Sequence, residues 1–493
     1  MNYNTIKPTP QEAENILSKL YLIKGTATSL PGEIDFNFRI RTEDSEGIIL
    51  KVSRPHEDED YLNFQQEILL HLEKTETSTR IIKDKEGKSI SEYKDVAGSI
   101  RKVRLLPWIS GRVWSSVHPQ LDDLRHSLGE QCGLLTQALA GFDHPKAHRE
   151  LQWDSAQSLW TKAHLSLFDE EEKEILTTFQ NRFEAALESY DHLRKAVVQN
   201  DANDNNCIVS MSLVHSSVKA IIDFGDAIYT QIINDLANAC AYAIMNHPDP
   251  LAAALPIVKG YHSKFPLEAD ELVHLYNAIA MRLVISVTKS AINKNKEPNN
   301  EYLLISEKPA WELLKKWSKV NAEFANYSFR NACGFKPHPS EDTFKKWTET
   351  VRLNFSDLFP SYLSSEASTT GNQTEEIELL NLKVSSTWMG SKTDFNDLEL
   401  FQFKIDQLQK KNSAKLIAGG YCEPRPLYTS NAYDKEGNNG PESRTYHLGI
   451  DFWLAEGTPV HALFDGEIFT ATNDAGYKEY GGLIILKHNE NNL

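Results

Sequence analysis

Residues 199–227, QNDANDNNCIVSMSLVHSSVKAIIDFGDA, carry three oxygen-bearing side chains at a spacing that suits phosphoryl transfer. Asp201 opens a D-x-x-x-x-N interval that closes at Asn206, and the apolar run Ala220-Ile221-Ile222 leads into Asp223 of an Asp-Phe-Gly. Moving a phosphoryl group from ATP to an alcohol needs one carboxylate to orient the attacking hydroxyl and accept its proton. It also needs an Asn and a second carboxylate to hold the magnesium ions that bridge the ATP phosphates. Asp201, Asn206 and Asp223 match those roles in type, order and spacing. Asp and Asn also crowd ordinary turns; the apolar strand ending in Asp-Phe-Gly is what separates this stretch from a plain polar loop.

A fourth group is Lys51, inside the apolar run Ile48-Ile49-Leu50-Lys51-Val52. An ammonium on an apolar strand must find a partner, because a buried unpaired charge is costly. Nucleotide α- and β-phosphates supply one in enzymes with a lysine so placed. An acidic partner is expected from the next helix, residues 60–72. Gln65 occupies the expected position there, and Glu67, the nearest carboxylate in the helix, lies about 200° round from it. The partner is therefore open between a Gln65 hydrogen bond and a shifted register.

The elements that must position these groups follow from periodicity. Residues 11–20 read as a short amphipathic helix. Phe36, Phe38 and Ile40 alternate with Asn37, Arg39 and Arg41 as a strand. The turn over 30–37 is placed to lie over phosphates, a second hairpin is expected around 83–88, and RKVRLLPWISGRVW (101–114) reads as a strand running into a hinge, with adenine against its apolar residues. Helices are expected over 120–139, 170–197, 232–245, 251–265, 268–292, 309–324 and 343–354. A small β-rich lobe followed by a mostly helical lobe is an α+β, two-lobed, protein-kinase-like fold. Its limits are set at 1–106 for the N-terminal lobe, 107–115 for the hinge and 116–360 for the helical lobe.

Composition narrows the function classes. The 493 residues carry a net charge of −17, which disfavours a general binder of nucleic acid or anionic membrane and suits a cationic substrate. No apolar run is long enough to span a bilayer, and the first residues hold no apolar signal core. The five cysteines show no metal-type pairing, so reduced thiols in a cytoplasmic setting are expected.

The stretches LPGEIDFNFRIRT, IILKVSRP, VRLLPWISGRVW, ALAGFDHPKAHRELQWD, NDANDNN and IIDFGDAIYTQIINDLANACAYAI resemble the aminoglycoside phosphotransferase/choline kinase family, in its hydroxylysine kinase-like branch, over residues 15–360. The resemblance implies a kinase using ATP and Mg2+ on a hydroxyl of a small amino-bearing substrate: an amino alcohol, a hydroxylated amino acid or an aminoglycoside. It implies Asp201 as proton acceptor, Asn206 and Asp223 as metal ligands and Lys51 on the phosphates. One departure is Gln199, where the family usually has His two residues before the catalytic Asp. Asp235 resembles a position near the substrate side, or else pins a helix. Asp143, His144, His148, Arg149 and Asp154 either line the substrate pocket or belong to a connecting loop.

The tail changes character. Residues 361–414 read as a polar linker with a short helix near 397–411, and 415–493 as an incomplete, small all-β domain. His447 and Asp451, four apart on a strand, can converge on one face as zinc ligands. YHLGIDFWLAEGTPVHALFDGEI (446–468) is similar to the LytM/lysostaphin-type zinc metallopeptidases. That family completes its site with a later H-x-H, which this sequence lacks, so the zinc site is expected to be incomplete. The order of domains implies the front of a longer fusion with a downstream class-III aminotransferase-fold domain as partner. Two rival readings are a nucleotide-binding pseudokinase scaffold, motivated by Gln199 and the unplaced partner of Lys51, and a zinc endopeptidase.

Overall fold

A computed structural model describes residues 7–32, 35–74, 81–296, 307–351, 358–359, 377–390, 394, 396–413, 415–426, 428, 433–437, 440–443, 445–476 and 480–488. The chain divides into two compact units, Met1–Pro337 and His338–Leu493.

The first unit opens with α1 (Pro10–Tyr21), which begins at a capping box between Thr9 and Glu12. It buries Ala13, Ile16 and Leu17 with one face of a five-stranded antiparallel sheet. The sheet runs β1 (Thr26–Leu30), β2 (Phe36–Arg41), β3 (Ile48–Val52), β5 (Ile100–Pro107), β4 (Ser91–Lys94) in spatial order. Strand β3 is central. Leu50 and Val52 are fully buried in the core under α1, so alternation turns Lys51 to the opposite face. Register sets Lys51 beside Asn37 of β2 and Arg104 of β5. The turn expected over 30–37 is described except for residues 33–34, which lie outside the described residues. The second hairpin falls later than expected: β4 and β5 join through a turn at Asp95–Ser99, where Gly98 takes φ 85°. Residues 84–88 form a separate turn closed by the Asp84 carboxylate on the amides of Glu86 and Lys88.

Helix α2 (Glu59–Glu73), capped by Asp58, stands in sequence between β3 and β4 and buries Phe64, Ile68, Leu69 and Leu72 in the core of the helical lobe. The helical lobe is built on α3 (Asp122–Leu139), α6 (Ile233–Ala243), α7 (Pro250–Lys264) and α8 (Ala269–Lys296), which share one large apolar core. Helices α3 and α7 touch at their backbones. A Cβ on Gly129 would stand 1.9 Å from the Ile257 carbonyl oxygen, and one on Gly260 2.1 Å from that of His126. Gly129→Ala is therefore expected to destabilise the lobe by about 2–3 kcal/mol, read as a lower urea midpoint for its unfolding; an unchanged midpoint would contradict this packing.

Two expected helices break. The span 170–197 becomes α4 (Glu170–Ala185), α5 (Leu187–Asp191) and a strand, β7 (Lys195–Val198). Val197 and Val198 are both buried, and β7 pairs antiparallel with β10 (Ile228–Gln231), so β-branched packing overrides the helical pattern. The span 309–324 becomes α9 (Glu307–Trp317) and α10 (Ala322–Ala332), because the Asn321 side chain accepts from the Phe324 amide and starts a new helix. A three-stranded sheet, β6 (Arg112–Val113), β8 (Cys207–Val209) and β9 (Val218–Ile221), carries the hinge end and the two arms of the motif-bearing stretch.

In the second unit, α11 (Glu341–Thr350) comes first. Of the span read as a linker, residues 361–376 lie outside the described residues. Beyond them β11 (Ile377–Leu380) pairs in parallel with β12 (Leu416–Gly419), with α12 (Leu398–Lys411) between them in sequence. Ile405 of α12 is buried with Leu380, Leu382, Met389 and Ile417. From 415 on, the described residues form short strands and no α-helix. The pairs are β13 (Glu423–Pro424) with β16 (Tyr446–His447), β14 (Asp434–Gly437) with β15 (Gly440–Ser443), β12 with β17 (Phe452–Trp453), and β18 (Gly466–Asp474) with β19 (Gly481–His488). Among the described residues no helix is long and apolar enough to cross a membrane.

Candidate active site

The two arms of the motif are stapled by the residue that departs from the family pattern. Gln199 Nε2 donates to the carbonyls of Ile222 (3.1 Å) and Asp223 (2.6 Å), and its Oε1 accepts from the Asp201 amide (2.8 Å). A primary amide has two N–H groups and an acceptor, so Gln fills three contacts that a neutral imidazole could not. Asn200 and Asp223 both adopt left-handed backbone, each at φ 63°. Such conformations in non-glycine residues are held only where their surroundings fix them. Asn200 is fixed by Asp235, whose Oδ1 accepts from its amide at 2.8 Å, and by Asn238, which donates to its carbonyl. Asp235 is thus the pin of the loop that carries Asp201, and burial pushes its carboxyl up to about 6.

Asp201 lies where these supports converge. Its Oδ1 accepts from Arg282 Nη2 at 2.8 Å; its Oδ2 accepts from the side-chain amides of Asn203 (3.0 Å) and Asn206 (2.8 Å). Burial pushes its carboxyl up to about 8, with Asp226 and Asp223 adding to the rise and the Arg282 guanidinium opposing it. Asp223 is the reverse case. The Lys51 ammonium, 3.3 Å from its Oδ2, holds its carboxyl below the usual range, and its Oδ1 accepts from the Gly225 amide at 2.9 Å. The two carboxyls are thus driven in opposite directions, Asp201 up into the range suited to proton transfer and Asp223 down.

The structure brings Lys51, Asp201, Asn206 and Asp223 to one cleft between the lobes. Asn206 Nδ2 is committed to the Asp201 backbone carbonyl and carboxylate, which leaves Oδ1 as its oxygen for a metal. A hard cation prefers such oxygen donors, so Asn206 and Asp223 fit Mg2+ and Lys51 fits the phosphates of a bound nucleotide.

Several groups in the 142–154 segment have other duties. Asp154 is buried and accepts from Thr230, Asn234, Gln157 and the Ala156 amide. His144 stacks on Phe64, and His148 meets Asp143 at 2.7 Å. Arg149 donates to the carbonyls of Gly225 and Ala227, which braces the loop after Asp223. The segment's own contribution near Asp201 is Trp153, whose carbonyl accepts from Arg282 at 2.7 Å and whose ring lies under that guanidinium. Sequence reasoning missed Arg282, Asp226 and Asp35. The second acid of D-F-G-D was visible in the motif; Arg282, in the middle of α8, carried no local signal.

Arg282 gives a pH prediction. The loss of its charge in Arg282→Met raises the Asp201 carboxyl further. If Asp201 accepts the hydroxyl proton, its anionic form is the active one, and the rate falls as pH drops through that value. The acid limb of kcat/KM is therefore expected to move to higher pH by about one unit or more; an unmoved limb would sever Asp201 from the rate.

In the second unit His447 and Asp451 do approach, with Nε2 to Oδ1 at 3.3 Å. The other Asp451 oxygen is taken by Arg425, a buried guanidinium that also pairs with Glu423. A cation already occupies the carboxylate, and among the described residues no group of three or more His, Cys, Asp or Glu could hold a metal ion. Zinc is not supported at this place.

Residues 26–270 match the sequence profile of the phosphotransferase enzyme family. Hydroxylysine kinase of Mus musculus is 28% identical over 314 residues, covering 58% of this chain and 82% of the relative. Hydroxylysine kinase of Bos taurus is 26% identical over 312 residues, with the same coverage. A solved amicoumacin kinase aligns with TM-score 0.50 at 15% identity, covering 64% of this chain and 97% of that one, which bears on the fold. Over residues 26–270, within the β-rich and helical lobes that close on Asp201, this chain is similar to the phosphotransferase enzyme family.

Proposed function

We propose that the chain transfers the γ-phosphoryl group of ATP to a hydroxyl of a small amino-bearing molecule, with a hydroxylated amino acid or amino alcohol as the preferred acceptor class. The observation that carries this reading is the opposed electrostatics of Asp201 and Asp223 in one cleft with Lys51. Hydroxylysine kinases among the relatives support the acceptor class. Asp201 orients the attacking hydroxyl and accepts its proton; Arg282, Asn203 and Asn206 hold that carboxylate in place. Asn206 and Asp223 would hold magnesium, which would supply positive charge against the ATP phosphates. Lys51 holds the phosphates. Catalysis is then mostly positioning and electrostatics.

The rival scaffold reading loses one of its motives, because Gln199 links the two arms of the site rather than leaving them loose. For the second unit we retain the LytM-type resemblance of residues 446–468 as a structural relationship without zinc chemistry, and the fusion with an aminotransferase-fold partner as its context. Dependence on ATP and buried, free Cys132, Cys207, Cys240 and Cys333 suit a cytoplasmic setting. The test is ADP release with Mg-ATP across hydroxylysine, ethanolamine, choline, homoserine and aminoglycosides. A strong signal with one amino-hydroxy compound is expected; ATP binding without release on any of them would favour the scaffold.

A further inference from the structure

The helix position expected to face Lys51 carries an amide, and that amide is engaged elsewhere. Gln65 Oε1 accepts from Arg104 Nη1 at 2.7 Å. The other arm of Arg104 pairs with Asp35 Oδ2, and this same oxygen lies 3.7 Å from Lys51 Nζ. Arg104 and Lys51 are direct partners in the β3–β5 register, so the two cations come from adjacent strands on one face of the sheet. Asp35, Arg104 and Gln65 are all buried. The remaining oxygen of Asp35, Oδ1, is buried with no hydrogen-bond partner among the described residues.

We infer that Asp35, tethered by Arg104 and Gln65, replaces the helix carboxylate as the anion that positions Lys51 for the nucleotide phosphates. A lysine head on four flexible methylenes needs a fixed anion to stand in one place. Asp223 alone is a poor anchor, since its carboxylate is also the one suited to a metal. Asp35 comes from the segment just before β2 and is held by a guanidinium whose second arm is fixed by α2. The order of contacts, α2 to Arg104 to Asp35 to Lys51, links the helix to the phosphate lysine without a carboxylate on the helix. Two cations, Lys51 and Arg104, then face two anions, the buried Asp35 and the more exposed Asp223, and the charges balance. Asp35 is on this account a positioning residue, acting through Lys51.

This inference rests on the nucleotide-binding reading and is tested without any acceptor. Calorimetry would compare Mg–AMP-PNP and adenosine binding for the full chain, Asp35→Asn, Lys51→Ala and the double variant. Asp35→Asn is expected to weaken AMP-PNP by about tenfold, with adenosine unchanged, and to cost nothing further once Lys51 is alanine, the signature of two groups acting as one. Asp35→Glu, which keeps the charge against Arg104, is expected to bind AMP-PNP better than Asp35→Asn. Additive losses in the double variant, or equal losses for adenosine, would assign Asp35 a purely structural role and overturn the inference. Tighter AMP-PNP binding in Asp35→Asn would overturn it too, by showing an anion that merely competes with phosphate for Lys51. A wild-type chain that binds no AMP-PNP would overturn both this and the kinase reading, whereas wild-type binding with an unchanged Asp35→Asn overturns this one alone.

Discussion

Asp201→Asn is expected to lower kcat by roughly a hundred- to ten-thousand-fold while Mg-ATP binding holds within about threefold. The substitution is isosteric, but its one amide oxygen can accept from Arg282 or from Asn203 and Asn206, not from both sides, and what disappears is the ability to take a proton. The loss should fall on kcat and kcat/KM alike, since the missing interaction is made as the hydroxyl attacks. The pH profile gives a second reading of the same substitution. Wild-type activity should fall on the acid side as Asp201, pushed up to about 8 without ligand, takes its proton. A cation held by Asn206 and Asp223 would add positive charge beside Asp201 and draw it down. The acid limb of kcat should therefore lie below that of kcat/KM. The residual activity of Asp201→Asn should show no such limb. ADP release by rapid-mixing and steady-state assays checks both; a variant with wild-type turnover would remove Asp201 from the chemistry.

The second large effect is expected at Asp223. Asp223→Asn should lower kcat by roughly a thousandfold and raise the Mg2+ concentration needed for half-maximal activity. Asp223 is held anionic, because Lys51 lies against it and the Gly225 amide donates to it. An amide there removes the anion on which both the metal and the lysine depend. A Mg2+ titration of ADP release separates the two roles. A lower plateau with an unchanged midpoint would mean Asp223 serves Lys51 and not the metal. Its left-handed φ of 63° tolerates Asn as well as Asp, so the loop should keep its shape.

The parts of the site that sequence made legible are those carried by local spacing. D-x-x-x-x-N and the apolar strand before Asp-Phe-Gly are short-range patterns, and Lys51 stands out because a charge interrupts an apolar strand. Arg282 was not legible: it meets Asp201 from 81 residues away, in a helix whose periodicity marks it only as one more residue of α8. Asp35 and Arg104 are 69 residues apart, and nothing in either neighbourhood marks the pairing. Helix register points to α2 for the Lys51 partner, yet an anion arrives from the loop before β2 at Asp35. In the fold, strong amphipathic segments such as α1 and α2 were readable. The errors fall where tertiary packing competes with periodicity, as in Val197-Val198, which pair with β10, and at Asn321, whose side chain starts a helix inside an apparently continuous one. The duty of Gln199 needed coordinates, because its three contacts reach backbone more than twenty residues on as well as its near neighbour.

Phosphoryl transfer to a hydroxyl through Asp201 must leave its mark on the acceptor, read as the acceptor's mass after incubation with Mg-ATP, for wild type and Asp201→Asn side by side, with hydroxylysine first. Gain of one phosphoryl group on the acceptor hydroxyl with wild type, and none within the same time with the variant, is the predicted result. A phosphorylated acceptor formed equally by both proteins would show that transfer does not run through Asp201.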